Sequence, residues 1–175
     1  MKIGVFSILI LFTMTAGAQE INKKIQDPIR HSEVMINVCS REGITTFDEF
    51  KASYDPNYAA YEPDSASISA IKNYLQGNKV TIVLGTWCGD SKFQVPHFLK
   101  IGDALGLTDK AISIIAVDGA KKAENGLIDA LKIERVPTFI FHDKAGHELG
   151  RITERPKESL EKDMLKILSM KDSHE

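Results

Sequence analysis

The chain has few of the residues on which several classes of protein depend. Its 2 cysteines among 175 residues are too few for a disulfide scaffold. Its formal net charge is only −2, with both signs mixed, so neither a nucleic acid nor an anionic membrane surface is an expected partner. Its 5 histidines show no metal-ligand spacing, and neither a glycine-rich phosphate loop nor a Ser-His-Asp arrangement stands out. The sequence therefore implies no metal, nucleotide or organic cofactor.

A long apolar run lies at the N-terminus. Met1-Lys2 supplies a positive end, Ile3 to Thr15 is almost wholly apolar, and Ala16-Gly17-Ala18 offers small residues for cleavage. This layout is typical of a secretory signal peptide over residues 1–18, and the run is too short to span a bilayer comfortably. We expect an exported protein that begins at Gln19 and is free of the membrane after cleavage. A retained N-terminal membrane anchor is the alternative.

Residues 19–63 are predicted to form a helical extension of a main domain over residues 64–172. Asp27-Pro28 is typical of a helix start, Gly43 is typical of a helix end, and a second helical patch covers Thr46 to Ser53. Three tyrosines then follow at nearly helical spacing: Tyr54, Tyr58 and Tyr61. We expect them to pack against the domain, and a surface that faces the substrate is the alternative.

The main domain shows an alternation of helices and strands. Asp64-Ser65 predicts the start of its first helix. The strands predicted after it are Val80–Leu84, Ala111–Val117, Thr138–His142 and Glu148–Ile152, and the helices are about Gly89–Leu105, Ala123–Ile133 and Lys157–Ser169. This order predicts a small α/β sandwich with parallel strands and an antiparallel hairpin at the edge.

Cys88 lies where a buried strand is predicted to end and a helix to begin. Unpaired amides and the positive end of the helix dipole favour an anion there, so we expect a reactive, thiolate-rich sulfur. Asp90 opposes this effect, because a nearby carboxylate disfavours a second negative charge. Ser91 can donate a hydrogen bond to the sulfur but cannot form a disulfide. Trp87 could shield the sulfur and offer a flat contact to a peptide.

The stretch TWCGDSKFQVP resembles the active-site stretch of the thioredoxin family, in which Trp-Cys-Gly-Pro-Cys-Lys is followed by a helix with a proline kink. The matching residues are Trp87, Cys88, Gly89, Lys92 and Pro96. A second stretch, Val136-Pro137-Thr138, resembles the family's cis-proline loop. The resemblance covers about Lys79 to Ser169. It implies a three-layer α/β/α sandwich with a mixed sheet and, with the export signal, a bacterial protein of the periplasm or cell envelope.

Two departures from the family pattern bear on the activity. Ser91 stands in place of the resolving cysteine and Asp90 in place of the proline, which gives Cys-Gly-Asp-Ser. The buried aspartate that the family places under the cysteines is also missing, since the strand near Ile82 carries no acid. The resemblance therefore implies a monothiol site and argues against ordinary dithiol chemistry by a single domain.

The expected activity is monothiol thiol–disulfide exchange on cysteine-containing proteins, by isomerisation or by mixed-disulfide formation. Cys88 would be the nucleophile, with Ser91 as its hydrogen-bond donor, and a thiol reductant or partner oxidoreductase would be the co-substrate. The resemblance places the substrate contacts at Trp87, Gly89, Asp90, Val136, Pro137 and Thr138. Cys39 is either a resolving thiol or a buried filler. The alternative function is a redox-silent module that binds extended polypeptide in the same groove, and Cys88 would then be inert.

Overall fold

A computed structural model of the protein describes residues 20–75 and 77–170. The six strands are β1 Lys23–Asp27, β2 Ser32–Cys39, β3 Lys79–Leu84, β4 Ile112–Ala116, β5 Thr138–His142 and β6 Glu148–Thr153. The five α-helices are α1 Arg41–Thr46, α2 Asp48–Ala60, α3 Ser65–Ile71, α4 Gly89–Leu105 and α5 Leu160–Ser169. No helix within these ranges is long and apolar enough to cross a bilayer. The predicted signal peptide lies outside the described residues.

The strands form one mixed sheet in the order β1-β2-β4-β3-β5-β6. β3 and β4 are parallel, and β5 and β6 form an antiparallel hairpin at one edge. The predicted fold class, α/β with a mixed sheet, is confirmed. The short apolar runs that predicted β3 and β4 lie in the middle of the sheet, where both faces of a strand are covered.

The two faces of the sheet have different covers. Alternate residues of β3 point in opposite directions, so Ile82 and Leu84 enter one core cluster and Val83 enters another. All five α-helices contribute buried side chains to the first and larger cluster. Residues 123–133 cover the second and smaller cluster, chiefly through Ile128. Cys39 belongs to the first cluster and Cys88 packs against the second, so the two cysteines lie on opposite faces of the sheet.

The helix predicted from Asp27-Pro28 to Gly43 is wrong. This segment instead completes the β1–β2 hairpin, and β2 pairs with β4 so that the hairpin extends the central sheet. Gly43 lies inside α1 instead of ending a helix. The extension predicted to be helical is therefore strand in its first half and helix in its second half.

The physical reason is that the helix-start signal forms only one turn. The Asp27 carboxylate accepts hydrogen bonds from the amides of Ile29 and Arg30, as an N-cap does. The Asp27 carbonyl accepts from the His31 amide at 2.8 Å, and the left-handed φ of 54° at His31 then turns the chain back. The residues that follow are buried as a strand of the sheet.

The helix predicted over Ala123–Ile133 is also wrong. Two short 3₁₀ turns, Glu124–Gly126 and Asp129–Leu131, occupy this segment. Asn125 and Lys132 adopt left-handed φ values of 54° and 50°, which a continuous α-helix does not tolerate. The apolar residues whose spacing predicted a helix instead pack against the second cluster from these two turns.

The three tyrosines pack against the helices of the first face. Tyr54 is buried and stacks on Tyr58 with ring centroids 5.3 Å apart. Tyr61 stacks on His97 of α4 at 4.1 Å and donates hydrogen bonds to the buried Glu161 of α5 at 2.9 and 3.0 Å. These contacts are the packing against the domain that the spacing of the tyrosines predicted.

Candidate active site

Cys88 is held in a tight turn between β3 and α4. Its amide donates to the carbonyl of Gly85 at 2.9 Å, and its own carbonyl accepts from the amide of Lys92 at 2.9 Å. Cys88 is the N-cap residue of the 17-residue α4, and its thiol is free and half-buried. The sequence-based placement of this cysteine, after a buried strand and at a helix N-terminus, is confirmed.

The thiol faces the loop before β5. The Val136–Pro137 peptide bond is cis, and the Cys88 Sγ donates a hydrogen bond to the Val136 carbonyl at 3.2 Å. Cys88 and Val136 come together because β3 and β5 are antiparallel neighbours, with Val83 opposite Thr138. The end of β3 and the beginning of β5 therefore lie side by side, and the two sequence motifs converge on one sulfur.

The cis-proline loop is packed beneath the sulfur. Val136 and Pro137 are buried, as is Thr138, whose hydroxyl donates to the Arg135 carbonyl at 2.7 Å. The Pro137 carbonyl accepts from the Glu154 amide at 2.7 Å, which joins this loop to the end of β6. The buried Thr138 thus holds the loop in place. Gly89, which directly follows Cys88, is exposed.

Ser91 makes a different hydrogen bond from the predicted one. It is fully buried, and its Oγ accepts from the Gly85 amide at 3.3 Å. Among residues 20–75 and 77–170, no hydrogen bond joins Ser91 to Cys88. The serine therefore supports the backbone of the turn that carries the thiol.

Asp90 is paired with an arginine that the sequence did not connect to the site. The Nε atom of Arg155 donates to the Asp90 Oδ1 at 3.0 Å. Arg155 lies directly after the loop of Glu154 that is bonded to Pro137, which explains how it reaches the first turn of α4. The pair offsets the negative charge of Asp90 close to the thiol.

Trp87 is held at one edge and on one face of its ring. Its Nε1 donates to the Val117 carbonyl at 3.0 Å, and the guanidinium of Arg30 lies 3.6 Å from its ring centroid. A Cβ at position 85 would lie 2.6 Å from Cε2 of the indole, so Gly85 is required for this packing. The predicted flat face of Trp87 therefore carries a cation from the β1–β2 loop, and no sequence motif signalled this contact.

Cys39 and Cys88 are not brought together. Cys39 lies on β2 opposite Ile114 and enters the first core cluster, whereas Cys88 packs against the second cluster on the other face. Burial raises the pKa of Cys39 to about 11, so this thiol is protonated at neutral pH. The position is that of a buried filler.

In the part of the chain that the structure describes, no group of three or more His, Cys, Asp or Glu side chains could hold a metal ion.

Comparison with known proteins identifies the family. A family model described as Thioredoxin matches residues 41–167, well over half of the chain, and the chain therefore belongs to the thioredoxin family. No curated protein matches it. A protein of unknown function from Pseudomonas aeruginosa, known from a 1.5 Å crystal structure, is 14% identical, with 78% of this chain and 93% of that chain covered and a TM-score of 0.53. An HIV epitope-scaffold is 16% identical over 73% of this chain and 85% of its own, with a TM-score of 0.49. The Pseudomonas likeness concerns the fold alone.

Proposed function

We propose that this member of the thioredoxin family carries out monothiol thiol–disulfide exchange on cysteine-containing proteins, with Cys88 as the nucleophile. One observation carries the proposal. A free, half-buried thiol at the N-terminus of α4 lies 3.2 Å from the carbonyl that precedes a cis proline. A buried structural cysteine such as Cys39 has neither the exposure nor the helix terminus.

The exchange needs only sulfur chemistry. The Cys88 thiolate attacks one sulfur of a client disulfide, a new S–S bond forms to Cys88, and the client S–S bond breaks. The second client sulfur leaves as a thiolate and takes a proton from water. Attack on the mixed disulfide by another client thiol, or by an external thiol, then releases the Cys88 thiolate. With a client thiol the net reaction is isomerisation, and with two equivalents of an external thiol it is reduction of the client.

Cys88 lies where the backbone at the start of α4 presents partial positive charge to its sulfur. The first amides of a helix have no partners within the helix, and the helix dipole adds a partial positive charge at this end. Asp90 would act against the thiolate, but its carboxylate is bound by Arg155. The helix terminus thus offers positive charge to the sulfur, Asp90 is already paired, and the Val136 carbonyl accepts the S–H of the resting thiol.

The second half of the cycle depends on a thiol from outside the domain. Ser91 has no sulfur, and the sheet lies between Cys39 and Cys88. A mixed disulfide with Cys88 is therefore expected to persist until a client thiol or a thiol reductant attacks it. For the setting we propose the periplasm or cell envelope of a bacterium, on the strength of the N-terminal signal-like sequence.

The experiment compares the protein with two matched variants, Cys88→Ser and Cys39→Ser. Each is mixed with a scrambled disulfide protein and a low concentration of thiol, and mixed disulfides are trapped by acid and mapped by mass. We expect adducts at Cys88 in the protein and in Cys39→Ser, and none in Cys88→Ser. Absence of adducts, together with alkylation of Cys88 only after unfolding, would contradict exchange. Equal binding of extended peptides by the protein and by Cys88→Ser would then establish the redox-silent binding module.

A further inference from the structure

The loop between β1 and β2 contacts Trp87 of the candidate active site. It carries Arg30, whose guanidinium lies 3.6 Å from the centroid of the Trp87 ring. Trp87 directly precedes Cys88, so this cation lies on the side chain next to Cys88 in the chain. The loop lies before residue 41, where the family match begins.

Arg30 differs from the other arginines of the described residues in forming no ion pair, although its charge helps to lower the pKa of the nearby Asp27. The other four each form an ion pair: Arg41 with Asp103, Arg135 with Glu154, Arg151 with Glu148 and Arg155 with Asp90. Within residues 20–75 and 77–170, the Arg30 side chain makes no ion pair and donates no hydrogen bond. A guanidinium stacked on an aromatic face keeps its five N–H donors free at its edge, because they lie in its plane.

The loop is fixed in position by the buried Asp27. The carboxylate of Asp27 accepts from the amides of Ile29 and Arg30 at 2.7 and 2.8 Å and also from the amide of Gly119, after β4. A Cβ at Gly119 would lie 3.0 Å from the Ile29 Cβ and 3.1 Å from the Arg30 Cγ, so this glycine admits the loop closely. Arg30 is therefore a preorganised donor on a fixed loop, although its side chain is open to solvent.

We propose that Arg30 is a specificity-determining residue that binds a carboxylate of the substrate, namely an acidic side chain close to the reacting cysteine of a client. The inference rests on the proposed exchange reaction and names the class of client that reaction prefers. Arginine binds carboxylates through two parallel N–H donors, and a guanidinium over the Trp87 ring has those donors available to a client segment bound beside Trp87. A basic residue at the same place in the client is repelled.

The test uses three peptide disulfides that differ only in the residue beside one cysteine, which is Glu, Gln or Lys. Rate constants for exchange are measured with the protein, Arg30→Gln and Arg30→Lys at low salt. We expect the Glu peptide to react about three- to five-fold faster than the Gln peptide, the size of one exposed ion pair, and the Lys peptide to react most slowly. In Arg30→Gln the three rates should converge on the Gln-peptide rate, and Arg30→Lys should keep part of the preference.

Two results would overturn the inference. One is a Glu preference that survives in Arg30→Gln. The other is an equal loss for all three peptides in that variant with a shift in the emission of Trp87, the only tryptophan of the chain, since this would mean that Arg30 merely packs.

The same peptides separate this inference from the proposed function. If the protein exchanges with none of them, exchange on such substrates fails, and binding of non-reducible analogues to Cys88→Ser is measured through Trp87 emission instead. Tighter binding of the Glu analogue that is lost with Arg30→Gln supports carboxylate recognition without exchange. Equal binding of the three analogues, or no binding, overturns it.

Discussion

Arg155 binds Asp90 across the N-terminal turn of α4, with the Arg155 Nε 3.0 Å from the Asp90 Oδ1. Asp90 occupies the position at which the family has proline, and a carboxylate there would disfavour a thiolate on Cys88. The arginine comes from the chain just after β6, 65 residues away in sequence. The structure accommodates the two departures in the Cys-Gly-Asp-Ser stretch in different ways. Ser91 is buried and accepts a hydrogen bond from the Gly85 amide, whereas the charge of Asp90 is paired with Arg155.

Removal of Arg155 is expected to slow the reaction of Cys88 with iodoacetamide at pH 7. In Arg155→Gln the Asp90 charge is unpaired, which we expect to lower the rate by about two- to five-fold, given solvent screening at this exposed pair. Asp90→Asn should raise the rate by a similar factor. The double variant should react at about the rate of the unchanged protein, since it removes two opposite charges whose effects on the sulfur nearly cancel. A double variant as slow as Arg155→Gln would contradict this account.

Cys39 is expected to be unreactive in the folded protein. In Cys88→Ser, which keeps only this thiol, alkylation at pH 8 should be negligible in buffer and rapid in denaturing urea. The reasons are its 5% exposure and a pKa raised to about 11 by burial. Under mild oxidant, peptide mapping of the protein should yield no Cys39–Cys88 disulfide. Rapid alkylation of native Cys88→Ser would show that the sheet opens at β2.

The same burial predicts a loss of stability at alkaline pH. The folded-state pKa of Cys39, about 11, lies above its ordinary value of 9.0, so the unfolded chain loses this proton first as pH rises. The free energy of unfolding should therefore fall between about pH 9 and pH 11, by roughly 1–3 kcal/mol from this group. Urea denaturation of Cys39→Ala should show a shallower fall than the unchanged protein. An equal fall in both would assign the loss to other groups, such as the tyrosines.

Asp27 is expected to be a main support of the β1–β2 loop. Burial alone would raise the pKa of Asp27, but the amides of Gly119, Arg30 and Ile29 together hold it below its ordinary value. Asp27→Ala leaves these three amides without an acceptor, and we expect a loss of about 2–3 kcal/mol in the free energy of unfolding at pH 7. Trp87 emission should also shift, because Arg30 is carried by the same loop.

The pH dependence of Asp27 gives an independent check. A carboxyl whose pKa is depressed on folding contributes stability above its unfolded value of about 3.9 and loses it as pH falls through the folded value. The difference in stability between the protein and Asp27→Ala should therefore narrow below about pH 4. Asp27→Asn, which keeps one acceptor oxygen, should be less damaging at pH 7 than Asp27→Ala. An equal effect of both substitutions would show that the hydrogen bonds matter less than the packing.

Tyr61 is expected to stabilise the fold without affecting the thiol. Tyr61→Phe removes the hydroxyl that bonds the buried Glu161, and we expect a loss of about 1–2 kcal/mol in thermal or urea unfolding. The rate of Cys88 alkylation should stay unchanged. Tyr58→Phe, at a more exposed hydroxyl bonded to Asp103, is the matched control with a smaller expected loss. A change in peptide binding by Tyr61→Phe would favour the interpretation of this segment as a substrate-facing surface.

The sequence predicted best those elements that depend on residues close together in the chain. The apolar run of β3 leads directly into the turn that holds Cys88, and α4 follows with the predicted bounds of Gly89 to Leu105. The hairpin of β5 and β6 needs only a short turn between two apolar strands. Strand burial, turn chemistry and helix caps are local properties, so the position of the thiol and of the Val136-Pro137-Thr138 loop could be predicted without coordinates.

Tertiary structure decided what depends on residues far apart in sequence. Asp27 and Pro28 predict a helix start and do form one turn, but pairing of β2 with β4 makes the segment a strand, and no local signal reports that pairing. The arginines at the site reach Trp87 and Asp90 only because the sheet places the β1–β2 loop and the end of β6 beside α4. The sequence by itself thus determined the position of Cys88 and the turn that carries it. The charges that surround this thiol, and the separation of the two cysteines, came from the order of the strands.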